Sequence, residues 1–114
     1  MANSFQAKAI GGDPVMADYT PSGAAVSAGA VVVVSNQPRV AHVDIADGEL
    51  GALAVANGVY ECTGDAAISS GKKVYWDDTN NKVTETSTSN KGFGWTVSAC
   101  SADGSKCNVL HQPF

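Results

Sequence analysis

Residues 71–86 constrain the fold of this chain more than any other segment, because they carry the full pattern of a β-hairpin. Residues 74–76 are Val-Tyr-Trp, which are strong strand formers. The Asp and Asn residues within 77–81 can hydrogen-bond to their own backbone in a turn, and residues 83–86 alternate as a returning strand. Nothing in the segment is reactive. We therefore predict antiparallel β-structure and a binding or structural role.

The composition of the whole chain favours the same fold class. Its 114 residues suit one domain with one modest core. Much of the apolar content is Ala and Val, while Gly, Ser, Thr, Asn and Asp are plentiful. This balance favours short strands and turns over long helices, so we predict an all-β protein.

The N-terminal segment differs in pattern from the rest of the chain. A Gly-Gly-Asp-Pro sequence at 11–14 and a Tyr-Thr-Pro-Ser-Gly sequence at 19–23 interrupt it too often for a helix or a long strand. We predict an extended arm over residues 1–23 and a single domain over residues 24–114. Because the arm has few positions with a core pattern, we expect it to be mobile in solution and to contribute little to folding.

Several further strands and turns can be predicted along the chain. The apolar run at 30–34 predicts a strand buried on both faces, and the alternation over 39–45 predicts the next strand. The Asn-Gly pair at 57–58 is a hairpin-turn signal ahead of a strand over 59–62. The only helical candidate is a single turn over 64–70, which is too short to stand alone.

An Asp-Gly turn at 103–104 sets the register of the last predicted hairpin. It places Cys100 opposite Cys107, and Val97 opposite Leu110 on the inward face. Cα atoms in such a pair of cysteines lie about 5.5 Å apart, so a disulfide is geometrically allowed. The alternative is two reduced thiols facing each other, which cytosolic redox conditions favour.

Two packing predictions concern the same region. The strand before the last hairpin should carry one face of apolar residues, namely Phe93, Trp95, Val97 and Ala99. Cys62 is most simply a small buried or half-buried hydrophobe.

The charge and hydropathy of the chain argue against two classes of partner. The formal charge is -4 and the seven Lys and Arg residues are scattered, so we expect no nucleic-acid partner. The N-terminus has no apolar run that could serve as a signal peptide, and no segment approaches ~20 apolar residues. We therefore expect no membrane partner and synthesis in the cytosol.

Two polar motifs do not match known ligand sites. The Gly-Lys pair at 71–72 lacks a glycine five residues earlier and precedes a strand, so it does not match a phosphate-binding loop. Asp44, Asp47 and Glu49 are not spaced as in a helix-flanked calcium loop, and turn capping is the favoured interpretation. We predict no metal site and no cofactor.

The two histidines do not complete a catalytic arrangement. His42 and His111 lie on predicted strands with no neighbouring acid, and no Ser or Cys lies in a strained Gly-x-Ser-x-Gly turn. We predict no catalytic residue and no enzyme, and an enzyme or the small subunit of one is the least favoured alternative.

The aromatic residues allow two interpretations. At strand positions they can line a carbohydrate-binding face, or they can fill a small core, which we favour. The residues concerned are Tyr60, Tyr75, Trp76, Phe93 and Trp95.

From residue 30 onward the chain resembles the small capsid cement, or head decoration, proteins of tailed bacteriophages. The resemblance is carried by turns and strand centres rather than by a catalytic signature. These are Val74-Tyr75-Trp76-Asp77, Val83-Thr84, Asn90, Gly92, Gly94 and Val109-Leu110, with Gly48, Gly58-Val59-Tyr60 and residues 68–71 in the expected order.

The resemblance implies a small antiparallel β-barrel or sandwich that forms homotrimers on the outer surface of the icosahedral head. It implies binding over junctions between major capsid proteins, no enzymatic activity, and synthesis in the host cytoplasm before assembly into the virion. A surface- or carbohydrate-binding β module with exposed aromatics is the alternative function.

An extended arm can contribute to such binding by adding a strand to an exposed sheet edge of a neighbour. The expected anchors in the capsid are Phe5, Ile10, Val15 and Tyr19. Two features depart from the family pattern: the elaborated arm, and a polar C-terminal sequence, His-Gln-Pro-Phe at 111–114, beyond the last strand.

Overall fold

The computed structural model describes residues 6–114 and is all-β, which confirms the predicted fold class. Within this range there is no helix, and hence none long and apolar enough to cross a membrane. The eight strands are β1 (Ala7–Tyr19), β2 (Val31–Val34), β3 (Gln37–Ala41), β4 (Gly51–Thr63), β5 (Lys73–Asp77), β6 (Lys82–Thr84), β7 (Lys91–Thr96) and β8 (Lys106–His111).

The strands form one antiparallel sheet that curves into a half-barrel, in the order β2-β3-β4-β8-β7-β5-β6. Strand β4 is the organising element, because it pairs with β3 near its start, with β8 near its end, and with β1 along its length. This long strand therefore joins β2 and β3 on one side to β8, β7, β5 and β6 on the other.

The predicted hairpin at 71–86 is confirmed. Strands β5 and β6 pair antiparallel, with Trp76 opposite Val83, and both side chains are buried. The carboxylate of Asp77 accepts hydrogen bonds from the backbone N–H groups of Thr79 and Asn80 at 3.0 and 3.1 Å. The Asp side chain therefore closes the turn in the way that its sequence position predicts.

The predicted helical turn over 64–70 is wrong. Gly64 forms an isolated bridge with Val83, and Ile68 forms one with Cys100. These pairings satisfy backbone groups that a single helical turn would leave unbonded at both ends, so tertiary contacts override the weak capping signal.

The predicted hairpin turn at Asn57-Gly58 is also wrong, because both residues lie inside the continuous strand β4. Asn57 has a φ of 76° and faces a register shift in β1 next to Gly12, whose φ is 81°. A Cβ atom on Gly12 would lie 2.5 Å from the Asn57 carbonyl oxygen. The Asn-Gly signal is used here for a bulge in a long strand pair instead of a chain reversal.

The N-terminal segment is extended, as predicted, but the expectation that it cannot form a long strand is wrong. Strand β1 pairs with β4 from Ala7, opposite Cys62, to Tyr19, opposite Gly51. Shifts in register around residues 11–15 accommodate the Gly-Asp-Pro sequence. The division of the chain at residue 23 remains a prediction.

Two apolar clusters form the core. The larger lies under β4, β5, β7 and β8 and includes Tyr60, Trp76 and Phe93, which confirms the core interpretation for these three aromatics. The smaller consists of Ala41, Ile45 and Leu53. Strand β2 contacts both clusters, through Val33 on one face and Val32 and Val34 on the other, yet these three are only half-buried. The predicted burial on both faces is therefore incomplete, since β2 is an edge strand.

The last hairpin has the predicted turn but not the predicted register throughout. Ser105 donates its backbone N–H to the carbonyl of Ala102, at 3.0 Å. Further from the turn, Leu110 pairs with Trp95 and not with Val97. The reason is that the N–H groups of Val97 and Ser98 both bond to the Asn108 carbonyl, at 2.8 and 3.3 Å.

The alternation of buried and exposed side chains in the strand before the hairpin is broken at Phe93. There the pairing of β5 with β7 shifts by one residue, because Val74 pairs with Gly94 and Tyr75 with Gly92. Phe93 is buried as predicted, but Trp95, Val97 and Ala99 are exposed and Thr96 is buried. The prediction of a single apolar face with four members is therefore wrong for three of them.

Candidate interaction surfaces

Strand β1 presents apolar side chains to solvent along an edge of the sheet. In residues 6–114 the only strand that pairs with β1 is β4, so its other side is not covered by a strand. Ile10, Val15 and Met16 are 47%, 50% and 43% exposed. The apolar surface and the uncovered backbone together make this edge suitable for pairing with another chain.

The predicted anchors occupy different environments. Ile10 and Val15 lie on the exposed edge, whereas Tyr19 is half-buried and packs against the smaller core cluster. Phe5 lies outside the described residues. Met16 shares the β1 edge with Ile10 and Val15 but was not predicted as an anchor, because its position relative to the bulge depends on the pairing with β4.

The start of β1 is tied to the rest of the sheet beside a small cavity. The side-chain oxygen of Gln6 accepts a hydrogen bond from the Val31 backbone N–H at 2.7 Å. Next to this contact is an open cavity of about 210 Å³. Its lining is mostly apolar and consists of Ala7, Lys8, Ala9, Gly29, Ala41 and His42.

A second exposed surface joins β5, β7 and the C-terminus, and we call it the aromatic–lysine cluster: Lys73, Trp95 and Phe114. The Lys73 Nζ atom lies 4.6 Å from the centre of the Phe114 ring and 5.7 Å from that of Trp95. Trp95 is 39% and Phe114 51% exposed. The cluster is a positive charge held between two aromatic rings at the surface.

The C-terminal contact was not predicted from the sequence. A Cβ atom on Gly92 would lie 2.5 to 2.7 Å from atoms of Phe114, so the absence of a side chain there makes room for the last residue. Tyr75 also contacts the Phe114 ring edge-to-face, with centroids 5.1 Å apart. Gly92 was recognised as a family position. That Phe114 packs against it could not be predicted, because this contact depends on the fold.

The loop between β3 and β4 forms a third surface, and we call residues 43–50 the acidic loop. Val43 and Leu50 are 60% and 71% exposed. Asp44 and Asp47 accept hydrogen bonds from the backbone N–H groups of Ala28 and Gly23, at 2.7 and 2.9 Å. Both bonds reach residues distant along the chain, so in these contacts the aspartates do not cap their own turns, contrary to the prediction, but hold the loop against the segment 23–28.

The buried polar side chain of His111 is not accessible from the surface. His111 has no exposed surface, and its Nε2 atom lies 2.6 Å from the Pro38 carbonyl oxygen, to which it donates. Burial lowers the pKa of His111 to about 4, although the bond to Pro38 opposes this shift. Its Nδ1 atom has no hydrogen-bond partner. His111 is therefore a neutral member of the core.

Tyr60 and Cys62 are equally inaccessible. Burial raises the pKa of each to about 12, and the nearby Cys62 adds to the effect on Tyr60. The Tyr60 hydroxyl is hydrogen-bonded to Nε2 of His42 at 2.6 Å. Cys62 is fully buried, as predicted, and a thiol with such a pKa is inert. Among residues 6–114 no group of three or more His, Cys, Asp or Glu side chains is arranged to hold a metal ion.

The sulfur atoms of Cys100 and Cys107 lie within bonding distance, and their Cα atoms are 4.8 Å apart. This separation is within the range of disulfides. The bridge stays a prediction for the protein in solution.

Comparison with known protein families gives one match. The model of the phage cement protein family matches residues 11–111. No curated protein and no solved structure matches the chain. The family is of a structural, non-enzymatic kind, with a cement role on the phage capsid. The match includes the exposed part of β1 from Gly11, and all of β2 to β8, so the chain belongs to the phage cement protein family.

Proposed function

We propose that this protein binds the outer surface of an icosahedral phage head as a homotrimer and stabilises the head by bridging major capsid proteins. The family match over residues 11–111 is the observation that carries the proposal. A threefold module engages several neighbours at once, so weak contacts combine into high avidity without any single strong site. The protein is made in the host cytoplasm and acts without catalysis or a cofactor.

The β1 edge is the surface that we assign to the major capsid protein. Its backbone groups can pair with an extended capsid segment, and main-chain hydrogen bonds do not depend on side-chain identity. Ile10 and Val15 provide apolar anchors on this edge, because about half of each side chain is exposed. Phe5 and Tyr19 flank them in the sequence as the remaining proposed anchors.

A rebinding assay on heads that lack the protein tests this assignment. We expect the double variant Ile10→Asp/Val15→Asp to remain folded but to bind heads at least about tenfold more weakly, because charges at buried contact positions are costly. The matched control is Ala66→Asp/Ala67→Asp, which adds the same charge at exposed positions between β4 and β5. The control should bind like the wild type.

Two outcomes separate the parts of the proposal. If wild-type protein does not bind heads, the cement function is wrong for this chain. If it binds and the double variant binds equally well, another surface contacts the capsid and the assignment of β1 is wrong.

A second candidate function is glycan binding, which the exposed rings of Trp95 and Phe114 favour. Tryptophan fluorescence tests it directly, because Trp76 is buried and Trp95 is the exposed tryptophan of the two. Glycan titration should change the emission of the wild type but not of Trp95→Phe. No change with a panel of cell-surface glycans eliminates this function.

A further inference from the structure

Two surfaces of this chain complement each other in charge and in apolar character. The acidic loop carries Asp44, Asp47 and Glu49 within six residues, flanked by the exposed Val43 and Leu50. The aromatic–lysine cluster carries Lys73, preceded by Lys72, beside two exposed rings. Each surface combines charge of one sign with apolar groups that lose contact with water when they are covered.

The acidic loop is rigid enough to act as a docking element. Ile45, in the middle of the loop, is buried in the smaller core cluster and forms a bridge with Val26. Asp44 and Asp47 add two further bonds to the segment 23–28. A preorganised loop loses little conformational entropy on binding, so its exposed Leu50 is well placed to act as an anchor.

The two surfaces belong to different elements of the sheet. The loop joins β3 to β4, whereas the cluster lies on β5, β7 and the C-terminus, and β8 separates β4 from β7 in the sheet. A head-to-tail contact between different surfaces of identical chains is heterologous, and it generates a ring when the rotation closes. The arrangement is therefore compatible with a cyclic trimer.

We propose that the acidic loop of one copy docks on the aromatic–lysine cluster of the next copy, and that three such contacts close the trimer. This inference rests on the proposed trimer and specifies the surfaces that form it. Leu50 inserts beside the rings of Trp95 and Phe114, and Glu49 faces Lys73. In residues 6–114 the only ion pair is Lys82–Asp103, so neither Glu49 nor Lys73 is paired within its own chain.

Charge reversal on both sides tests the contact. Glu49→Lys and Lys73→Glu should each weaken trimer formation about tenfold or more, as measured by sedimentation equilibrium, because each places like charges together. The double variant Glu49→Lys/Lys73→Glu should regain most of the lost affinity. The matched controls are Glu85→Lys and Lys106→Glu, which make the same changes at exposed positions elsewhere and should leave the trimer intact.

A pair of apolar truncations distinguishes this inference from the proposed capsid contact. Leu50→Ala should dissociate the trimer, whereas Ile10→Ala should leave the trimer intact and weaken head binding. Thermal unfolding monitored by circular dichroism verifies that each variant is folded.

Several results overturn the inference. They are a wild-type protein that is monomeric or dimeric at all concentrations, single charge variants that trimerise like the wild type, and a double variant no better than either single one. If any of these occurs while wild-type protein still decorates heads, the cement role stands and the trimer surfaces are wrong; a wild type that never trimerises also removes the homotrimer from the proposed function. If the variants change trimer formation as expected but wild-type protein does not bind heads, the trimer surfaces stand and the cement function is wrong.

Discussion

Strand β1 and the β5–β6 hairpin are both extended segments with turn-forming residues, yet the sheet uses them differently. The hairpin buries Val74, Trp76 and Val83 and closes on its own turn. In β1, Ala7 is the only buried residue, and its pairing partner β4 lies more than thirty positions away along the chain. Extended structure therefore forms part of the core in the hairpin, whereas in β1 it forms accessible surface.

The largest effect should come from removing the central side chain of the hairpin. Trp76 is 1% exposed, so Trp76→Ala should lower the free energy of unfolding by about 3–5 kcal/mol, through lost burial and the cavity left behind. Urea denaturation measures the change. Trp95→Ala is the matched control and should cost much less, because Trp95 is 39% exposed. Equal losses would contradict the assignment of Trp76 to the core.

The buried side chain of His111 should make the stability of the protein depend on pH. The pKa of His111 is lowered from 6.5 to about 4 in the folded protein, so the unfolded chain binds more protons between these values. Stability should therefore fall as the pH drops from 6.5 toward 4, by up to about 3 kcal/mol from this group.

Denaturation over pH 4–7 compares the wild type with His111→Gln, in which an amide N–H can still donate to the Pro38 carbonyl. The variant should lose this part of the pH dependence. If wild type and variant show the same slope over that range, His111 is not the group responsible.

The cysteine pair in the last hairpin should contribute somewhat less. If Cys100 and Cys107 are bridged, reduction should lower the free energy of unfolding by about 2 kcal/mol, the amount expected in the chain-entropy model for so short a loop. Thiol counting on unfolded, unreduced protein should find one thiol, which peptide mapping assigns to Cys62. A count of three thiols shows that the bridge is absent.

The smallest effect on stability should come from removing the exposed strand β1. We expect deletion of residues 1–20 to leave the protein folded, with a Tm about 5 °C lower or less, because β1 contributes to the core only the buried Ala7 and the half-buried Tyr19. Head binding should be lost in the same variant. A truncated chain that unfolds would show that the pairing of β1 with β4 is essential to the fold and that residues 1–23 are not separable.

Much of the fold could be predicted from local signals. The all-β class, the hairpin at 71–86, the turn at 103–104 and the facing cysteines all depend on residues close together in the chain, where turn chemistry and alternation are sufficient. The wrong predictions came from sequence signals that are compatible with two different local structures. The Asn-Gly pair at 57–58 can form a hairpin turn or a bulge. It forms a bulge here because this part of β4 pairs with β1, which is distant in the sequence.

Less of the interaction surface could be predicted. Ile10 and Val15 were identified from the apolar residues of the N-terminal segment, and their exposure agrees with a surface position. The aromatic–lysine cluster was not identified, because it joins Lys73, Trp95 and Phe114 from three separate parts of the chain. Trp95 was assigned to an inward face, since the register shift at Phe93, between β5 and β7, has no signal in the local pattern.

The sequence by itself determined the fold class, the positions of the main turns and the family, because these depend on residue types and short-range spacing. Only the tertiary structure decided which strands are covered and which side chains meet at the surface. The physical reason is that a strand has no fixed interior face until its partners are in place: a one-residue shift in register exchanges buried and exposed positions, as it does in β7 after Phe93.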